Sequence, residues 1–199
     1  MHRLLPRQLN TCPVALALLF LGVGHAATID FEGLGDSTIL TNQYPGLTFT
    51  NTIILTAGIS LNEFDFPPHS GTNVASDNNG PISIAFSAPI TSFSGYFTYV
   101  EPLTLDGFDA SDTEVASAVS AYSSNDALVG DPGSSPNEFL SLSFAGGMSS
   151  VTITGDPAGG SFVMDDAQYT PAATPVPEPS SIILSLASIL LGLLAVRKN

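Results

Sequence analysis

The chain has 199 residues, enough for one domain of ordinary size and terminal targeting segments. It carries 18 acidic and four basic residues, and the basic ones lie only at the two ends: Arg3, Arg7, Arg197 and Lys198. The long stretch between them has no lysine or arginine to neutralise phosphates, which excludes nucleic-acid binding and argues against phosphorylated ligands and anionic lipid. The single cysteine, Cys12, leaves no disulfide framework.

Residues 1–26 have the parts of a secretory signal peptide. Arg3 and Arg7 make the beginning basic, and the apolar run 14–23 that follows is too short to span a membrane comfortably. Small residues at the −3 and −1 positions then predict cleavage after Ala26. The alternative is a first transmembrane helix, and the short run and the small-residue site argue against it.

The stretch 27–172 has the pattern of short β-strands. Apolar and polar residues alternate with a period of two in several runs, which Gly, Pro, Asn and Asp bound. Turn sequences separate the runs, among them residues 78–81 and the glycine pair 146–147. About ten short strands predict an all-β fold, an antiparallel β-sandwich of jelly-roll type. The predicted strands are 28–32, 47–51, 73–75, 82–87, 93–99, 103–109, 115–122, 140–144, 151–154 and 161–170.

Acidic motifs lie in the first and last predicted strands. The first strand reads Ile-Asp-Phe-Glu-Gly over 29–33, and the last reads Ser-Phe-Val-Met-Asp-Asp-Ala-Gln-Tyr over 161–169. This pairing resembles galactose-binding-like jelly rolls and carbohydrate-binding modules. The resemblance implies that the two strands lie near one another beside a structural calcium ion.

The carboxylates of this domain have no lysine or arginine to pair with, so we expect them to be solvated, hydrogen-bonded, protonated or bound to cations. Calcium suits oxygen ligands, whereas zinc is disfavoured because the domain has no cysteine and one histidine. We predict a calcium site that joins Asp30 and Glu32, on one side of the first strand, with Asp165 or Asp166. Neighbouring residues point to opposite faces of a regular strand, so both aspartates face the ion only if a bulge intervenes. The alternative is that all four are surface acids.

Catalysis is disfavoured by the side chains available. His69 is the one histidine left after the predicted cleavage. Ser70 is adjacent to it in sequence, but adjacency alone does not align the imidazole and the hydroxyl as a nucleophilic triad requires. Paired carboxylates serve glycoside hydrolysis, but the sequence gives no separation for such a pair. We therefore expect no catalytic residues and keep a secreted glycoside hydrolase or lyase as the second alternative.

Sugar binding is the first alternative function. Protein sites for sugars use aromatic faces with polar partners, and the candidates in this chain are Tyr44, Tyr96, Tyr122 and Asn73. Against this, tryptophan is absent, and aromatic residues in strands more often serve packing.

Three signals follow one another at the end of the chain. The segment Val176-Pro177-Glu178-Pro179 cannot continue a helix or a sheet. The apolar run 182–196 is about 22 Å long as a helix, short of the roughly 30 Å hydrocarbon core. Arg197 and Lys198 then hold the tail on the cytoplasmic side.

This order resembles the PEP-CTERM sorting signal of Gram-negative bacteria that make exopolysaccharide. The resemblance implies that exosortase, a membrane transpeptidase-like protease, recognises and cuts the tail, with a logic like that of GPI signals. It also implies anchoring by the helix before processing. The alternative is a plain C-terminal membrane anchor.

These patterns predict three segments: a signal peptide (1–26), a β-sandwich (27–172) and a sorting tail (173–199). We expect an exported, non-catalytic protein of the outer surface or exopolysaccharide matrix of a Gram-negative bacterium. Its expected partners are the exosortase-type enzyme and, before processing, the membrane, with polysaccharide as a further candidate. Calcium, in a structural role, is the candidate cofactor.

Overall fold

The computed structural model describes residues 25–173. Ala26, the predicted cleavage residue, is exposed and immediately precedes the first strand. The predicted apolar run of the signal peptide and the whole sorting motif, including its short helix, lie outside the described residues. Their roles therefore stay predictions.

Ten β-strands form the regular structure of the described range. None of the residues from 25 to 173 belongs to a helix long and apolar enough to cross a membrane. The strands are β1 (Ala27–Ile29), β2 (Ile39–Leu40), β3 (Leu47–Thr50), β4 (Thr52–Thr56), β5 (Asn73–Asn78), β6 (Ile82–Tyr99), β7 (Thr104–Phe108), β8 (Glu114–Val119), β9 (Glu138–Thr154) and β10 (Gly159–Pro171).

The strands pair in the order β2-β4-β5-β10-β6-β9-β7-β8, with β1 beside β10 and β3 beside β6. All of these strand pairs are antiparallel. The long strands β6 and β9 bend midway, where their register shifts near Ile90. The first half of β6 pairs with β3 and the second half of β9, whereas its second half pairs with β10 and the first half of β9. One hydrogen-bonded sheet thus makes two layers.

One apolar core joins the two layers. Ile82 and Ile84 from the first half of β6 and Phe93 and Phe97 from the second half belong to the same buried cluster. Because both halves direct alternate residues into one core, the layers face each other as in a sandwich. The predicted fold class, an all-β antiparallel sandwich, is confirmed, and non-sequential neighbours such as β10 between β5 and β6 are typical of jelly rolls.

The predicted turn at the glycine pair 146–147 is wrong. Both glycines lie inside β9, which runs from Glu138 to Thr154 and unites two predicted strands. Gly147 has φ of 92°, and its neighbour Met148 pairs with Ile90 of β6. Positive φ at a glycine bends the strand and permits a change of register. The strand therefore bends at Gly147 and its pairing with β6 continues beyond the bend.

The strand β4 was not predicted. Its sequence, Thr-Ile-Ile-Leu-Thr over 52–56, has three consecutive apolar residues and therefore lacks a clear alternation. Asn51, with φ of 56°, divides β4 from β3 and lets the chain turn to pair with β5. Two neighbouring strands thus occupy a stretch in which the sequence indicated one.

Candidate functional site

The two principal polar features lie on the outer face of one layer. This layer consists of the first half of β9, the second half of β6, and β10, β5 and β4. A segment of 57–72, here called the covering loop, lies over its β5 and β10 part. Leu61 of the loop is buried against Val74 and Val163, with Phe66 packed at the edge of this small cluster.

Glu32 holds the end of the covering loop. Its Oε1 accepts hydrogen bonds from the backbone N–H groups of Thr72, at 2.8 Å, and Asn73, at 2.7 Å. Gly71 has φ of 54°, and a Cβ atom there would collide with the Glu32 carboxylate. The carboxylate therefore reaches the two amides because residue 71 is a glycine.

Asp165 and Asp166 bind the covering loop a little earlier in the chain, at His69 and Ser70. The N–H of Ser70 donates to Asp165 Oδ2 at 2.8 Å, and its hydroxyl donates to Asp166 Oδ1 at 3.1 Å. His69 Nδ1 lies 2.7 Å from Asp166 Oδ2. The register of β10 shifts after Asp165, and Asp166 has φ of 44°, so both carboxylates turn towards one loop. Glu32, Asp165 and Asp166 together are called the clamp below.

Asp165 is the most buried carboxylate of the clamp, with 1% of its surface exposed. Burial raises the pKa of Asp165 to about 6, against the opposing effect of hydrogen bonds from the N–H groups of Ser70 and Asp166. The nearby charge of Asp166 adds to the increase. Near neutral pH this carboxylate is thus costly to keep ionised, and its two amide donors offset part of that cost.

The predicted calcium ligands lie in this region, but they do not form a compact group. β1 ends at Ile29 and Phe31 has φ of 61°, so the expectation that Asp30 and Glu32 lie on one strand is wrong. Asp30 is exposed and accepts only a 3.3 Å hydrogen bond from the N–H of Glu32 among the bonds found in 25–173. Among the described residues, no three His, Cys, Asp or Glu side chains are close enough to hold a metal ion. Calcium binding stays a prediction.

His69 stacks on Tyr96 of β6. Their ring centroids are 3.5 Å apart and the ring planes differ by 8°. Ser70 donates its hydroxyl to Asp166 instead of to the imidazole, so Asp166 is the acceptor for both neighbours. The three side chains therefore do not have the serine–histidine–aspartate order of a nucleophilic relay.

The aromatic contacts continue from Tyr96 to Phe139. These two residues are cross-strand partners on β6 and β9, and their ring centroids are 5.2 Å apart. Phe139 has 51% of its surface exposed. Phe139 therefore presents apolar surface to solvent beside the packed ring of Tyr96.

A polar groove continues along the same two strands. Cross-strand pairs Ser94–Ser141 and Ser92–Ser143 follow the Tyr96–Phe139 pair on the outer face. Residues 115–117 of β8 line the same cavity together with Phe93 and Leu142, and its volume is about 550 Å³. We call this cavity the serine groove; its lining includes the five serines 92, 94, 117, 141 and 143 and the ring of Phe139.

The sequence did not identify the serine groove. The alternation of Ser141 and Ser143 with buried leucines indicated that the serines face outwards. The register that places them opposite Ser94 and Ser92 could not be deduced from that alternation.

The other predicted sugar-binding residues serve the fold. Tyr44 is half-buried between Phe31 and Phe49, with centroid distances of 6.2 Å to each, and burial raises its pKa. Tyr122 packs against the core and donates its hydroxyl to the backbone oxygen of Gly133 at 3.0 Å.

Asn73 is buried, and its side-chain amide donates to the backbone oxygens of Phe31 and Leu34. Of the four candidates, Tyr96 alone lies beside the serine groove in the described part of the chain.

No protein-family model and no curated protein matches the chain. Among solved structures, it is similar to the K2 cleaved adhesin domain of Lys-gingipain, at 14% identity and a TM-score of 0.47, over 73% of this chain and 99% of that one. It is also similar to the CBM22-1 and GH10 modules of the Clostridium thermocellum endo-1,4-β-D-xylanase 10B, solved with xylohexaose. There the identity is 12% and the TM-score 0.37, over 72% of this chain and 28% of the xylanase chain.

Proposed function

We propose that this chain is an exported, non-catalytic protein of the cell surface or exopolysaccharide matrix, sorted by a PEP-CTERM-like tail. The observation that carries the proposal is the charge of the sandwich. All but one of the 18 acidic residues fall within 25–173, and this range has no lysine or arginine. Such a surface repels phosphates, nucleic acids and acidic lipids, and it favours solubility outside the cell.

The use of the acidic groups in the fold supports a non-catalytic function. Asp77 is buried and accepts hydrogen bonds from the backbone N–H groups of Ser161 and Phe162 and from the Ser161 hydroxyl. The clamp carboxylates accept from loop amides in the same manner. Carboxylates that hold neighbouring segments in this way are structural acceptors.

Fractionation of cells that express the full chain tests the proposal. We expect the mature protein in the envelope or the external matrix, with its amino terminus at Ala27. Mass spectrometry should find a carboxyl terminus upstream of Arg197 in most molecules. A chain that stays uncut in the cytosol would overturn the proposal. An exported chain that retains Lys198 would show that the tail is a plain membrane anchor and not a processed sorting signal.

Carbohydrate binding is the second candidate function, and the exposed ring of Phe139 beside the serine groove favours it. A glycan array incubated with the full chain, with and without calcium, tests this function. Saturable binding of a defined glycan supports it. Cleavage of that glycan, detected by product analysis, would instead support the hydrolase or lyase alternative.

A further inference from the structure

We infer that the serine groove binds a segment of neutral polysaccharide, with a sugar ring against Phe139 and sugar hydroxyls bonded to the serines of β6 and β9. The inference rests on the carbohydrate-binding function proposed above and adds the site and the chemical class of the ligand.

Phe139 is held by its neighbours. It is half-exposed, and the ring of Tyr96 packs against it in a tilted arrangement. Tyr96 in turn stacks on the imidazole of His69, which hydrogen-bonds to Asp166. A half-exposed ring that packs against such neighbours presents an apolar surface that loses little side-chain entropy on binding.

Serine hydroxyls lie beside the Phe139 side chain in the groove. Ser141 and Ser143 are exposed, and Ser92 and Ser94 are half-buried. A serine hydroxyl both donates and accepts, as do the hydroxyls of a sugar. Of the groove's five serines, Ser117 alone donates its hydroxyl to another protein group within 25–173, to Asp106 at 2.7 Å. The remaining four hydroxyls are available to a ligand.

The lining of the serine groove is uncharged, although the described range contains nearly all the acidic residues of the chain. Acidic polysaccharides would be repelled by the surrounding carboxylates, and no basic side chain in 25–173 offsets this repulsion. A neutral polysaccharide, whose polar groups are hydroxyls, therefore matches the groove better than an acidic polysaccharide.

The serine groove extends along β9. From Phe139 to Ser143, both of which line the groove, the strand runs four residue steps, roughly 14 Å. The cavity has a volume of about 550 Å³. A groove of this length fits a stretch within a longer polysaccharide, and we expect oligosaccharides to bind more tightly than single sugars.

Matched variants of the full chain test the inference. The probes are cellohexaose, mannan and dextran as neutral glycans and alginate as the acidic one. Phe139→Ala removes the half-exposed ring, and Phe64→Ala removes a more exposed one, at 74%, in the covering loop. Ser141→Ala with Ser143→Ala removes two groove hydroxyls. Ser87→Ala removes a hydroxyl from the separate cavity beside Tyr44.

We expect at least one neutral probe to bind and alginate not to bind. Phe139→Ala should weaken binding about tenfold, equivalent to about 1.4 kcal/mol, and the double serine variant should weaken it as well. Phe64→Ala and Ser87→Ala should bind as the parent does. Unchanged binding by Phe139→Ala, or equal losses in the control variants, would exclude the serine groove as the binding site. Carbohydrate binding at another site would still be supported. Absence of binding to every glycan would overturn both carbohydrate binding and the serine groove as its site. Equal binding of alginate would show that the ligand is not restricted to neutral polysaccharides.

Discussion

The clamp and the serine groove lie on the same outer face and differ in how their polar groups are used. The clamp contains three carboxylates, and each accepts hydrogen bonds from the covering loop. The groove contains hydroxyls without charge, most of which have no protein partner in the described range. The three clamp carboxylates therefore bind the covering loop, whereas the hydroxyls of Ser92, Ser94, Ser141 and Ser143 have no protein partner within 25–173.

The largest effect should follow from removing a clamp carboxylate. Glu32→Ala leaves the N–H groups of the exposed Thr72 and the buried Asn73 without their acceptor, and we expect the free energy of unfolding to fall by about 1–3 kcal/mol, mainly through Asn73. Urea denaturation measures this change. Glu114→Ala, which removes an exposed carboxylate from β8, is the control and should cost less than about 0.5 kcal/mol. Equal values for the two variants would show that the clamp does not stabilise the loop.

The second effect is a pH dependence at Asp165. Its pKa is raised to about 6, so between about pH 4 and pH 6 the folded state holds a proton that the unfolded state has released. The free energy of unfolding should therefore decrease as the pH rises through this window, by on the order of 2 kcal/mol. The decrease should be complete above about pH 6 and absent below about pH 4.

Unfolding of the parent and of Asp165→Asn, compared in chelator from pH 4 to pH 7, isolates this contribution. The asparagine cannot ionise, so its curve should lack the decrease that the parent shows. Parallel curves for the two proteins would mean that Asp165 titrates in the same range when folded and unfolded.

The fold class was predictable because it depends on local patterns. Alternation in β6, β9 and β10 and turn residues between strands indicated an antiparallel sandwich. The continuity of the long strands was not predictable. Gly147 with φ of 92° makes a bend within β9, and the same dipeptide between other strands would make a turn.

The site was predictable in part. The sequence predicts that Glu32 joins Asp165 or Asp166 at a calcium site, and in the structure all three carboxylates bind the covering loop. It did not indicate that backbone amides of that loop are their partners, because such contacts depend on how the covering loop packs. The groove depends on the register between Ser94 and Ser141, which no local pattern determines.

The predicted calcium site is tested by the melting temperature of the protein with and without calcium. The sequence predicts that calcium stabilises the chelated protein, and calcium at ten times its dissociation constant adds about 1.4 kcal/mol. For a domain of this size that corresponds to an increase in melting temperature of about 3–6 °C. Asp30→Ala combined with Asp166→Ala should abolish the increase. A chelated protein that melts at the same temperature as the calcium-loaded one would exclude the site.

The smallest effect should come from the groove. Ser141→Ala with Ser143→Ala should change the free energy of unfolding by less than about 0.5 kcal/mol, since both hydroxyls are exposed and hold no other segment. Urea denaturation under the conditions used for Glu32→Ala makes the two regions directly comparable. A loss as large as that of the clamp variant would mean that these serines are structural.

Amide hydrogen exchange of the full chain, with and without a neutral oligosaccharide, shows where the glycan binds. We expect slower exchange on binding in residues 92–96, 115–117 and 139–143, which surround the serine groove. Exchange should be unchanged in residues 44–48 and 85–87, which line the separate cavity beside Tyr44. Protection confined to that other cavity, or none at saturating oligosaccharide, would contradict binding in the serine groove.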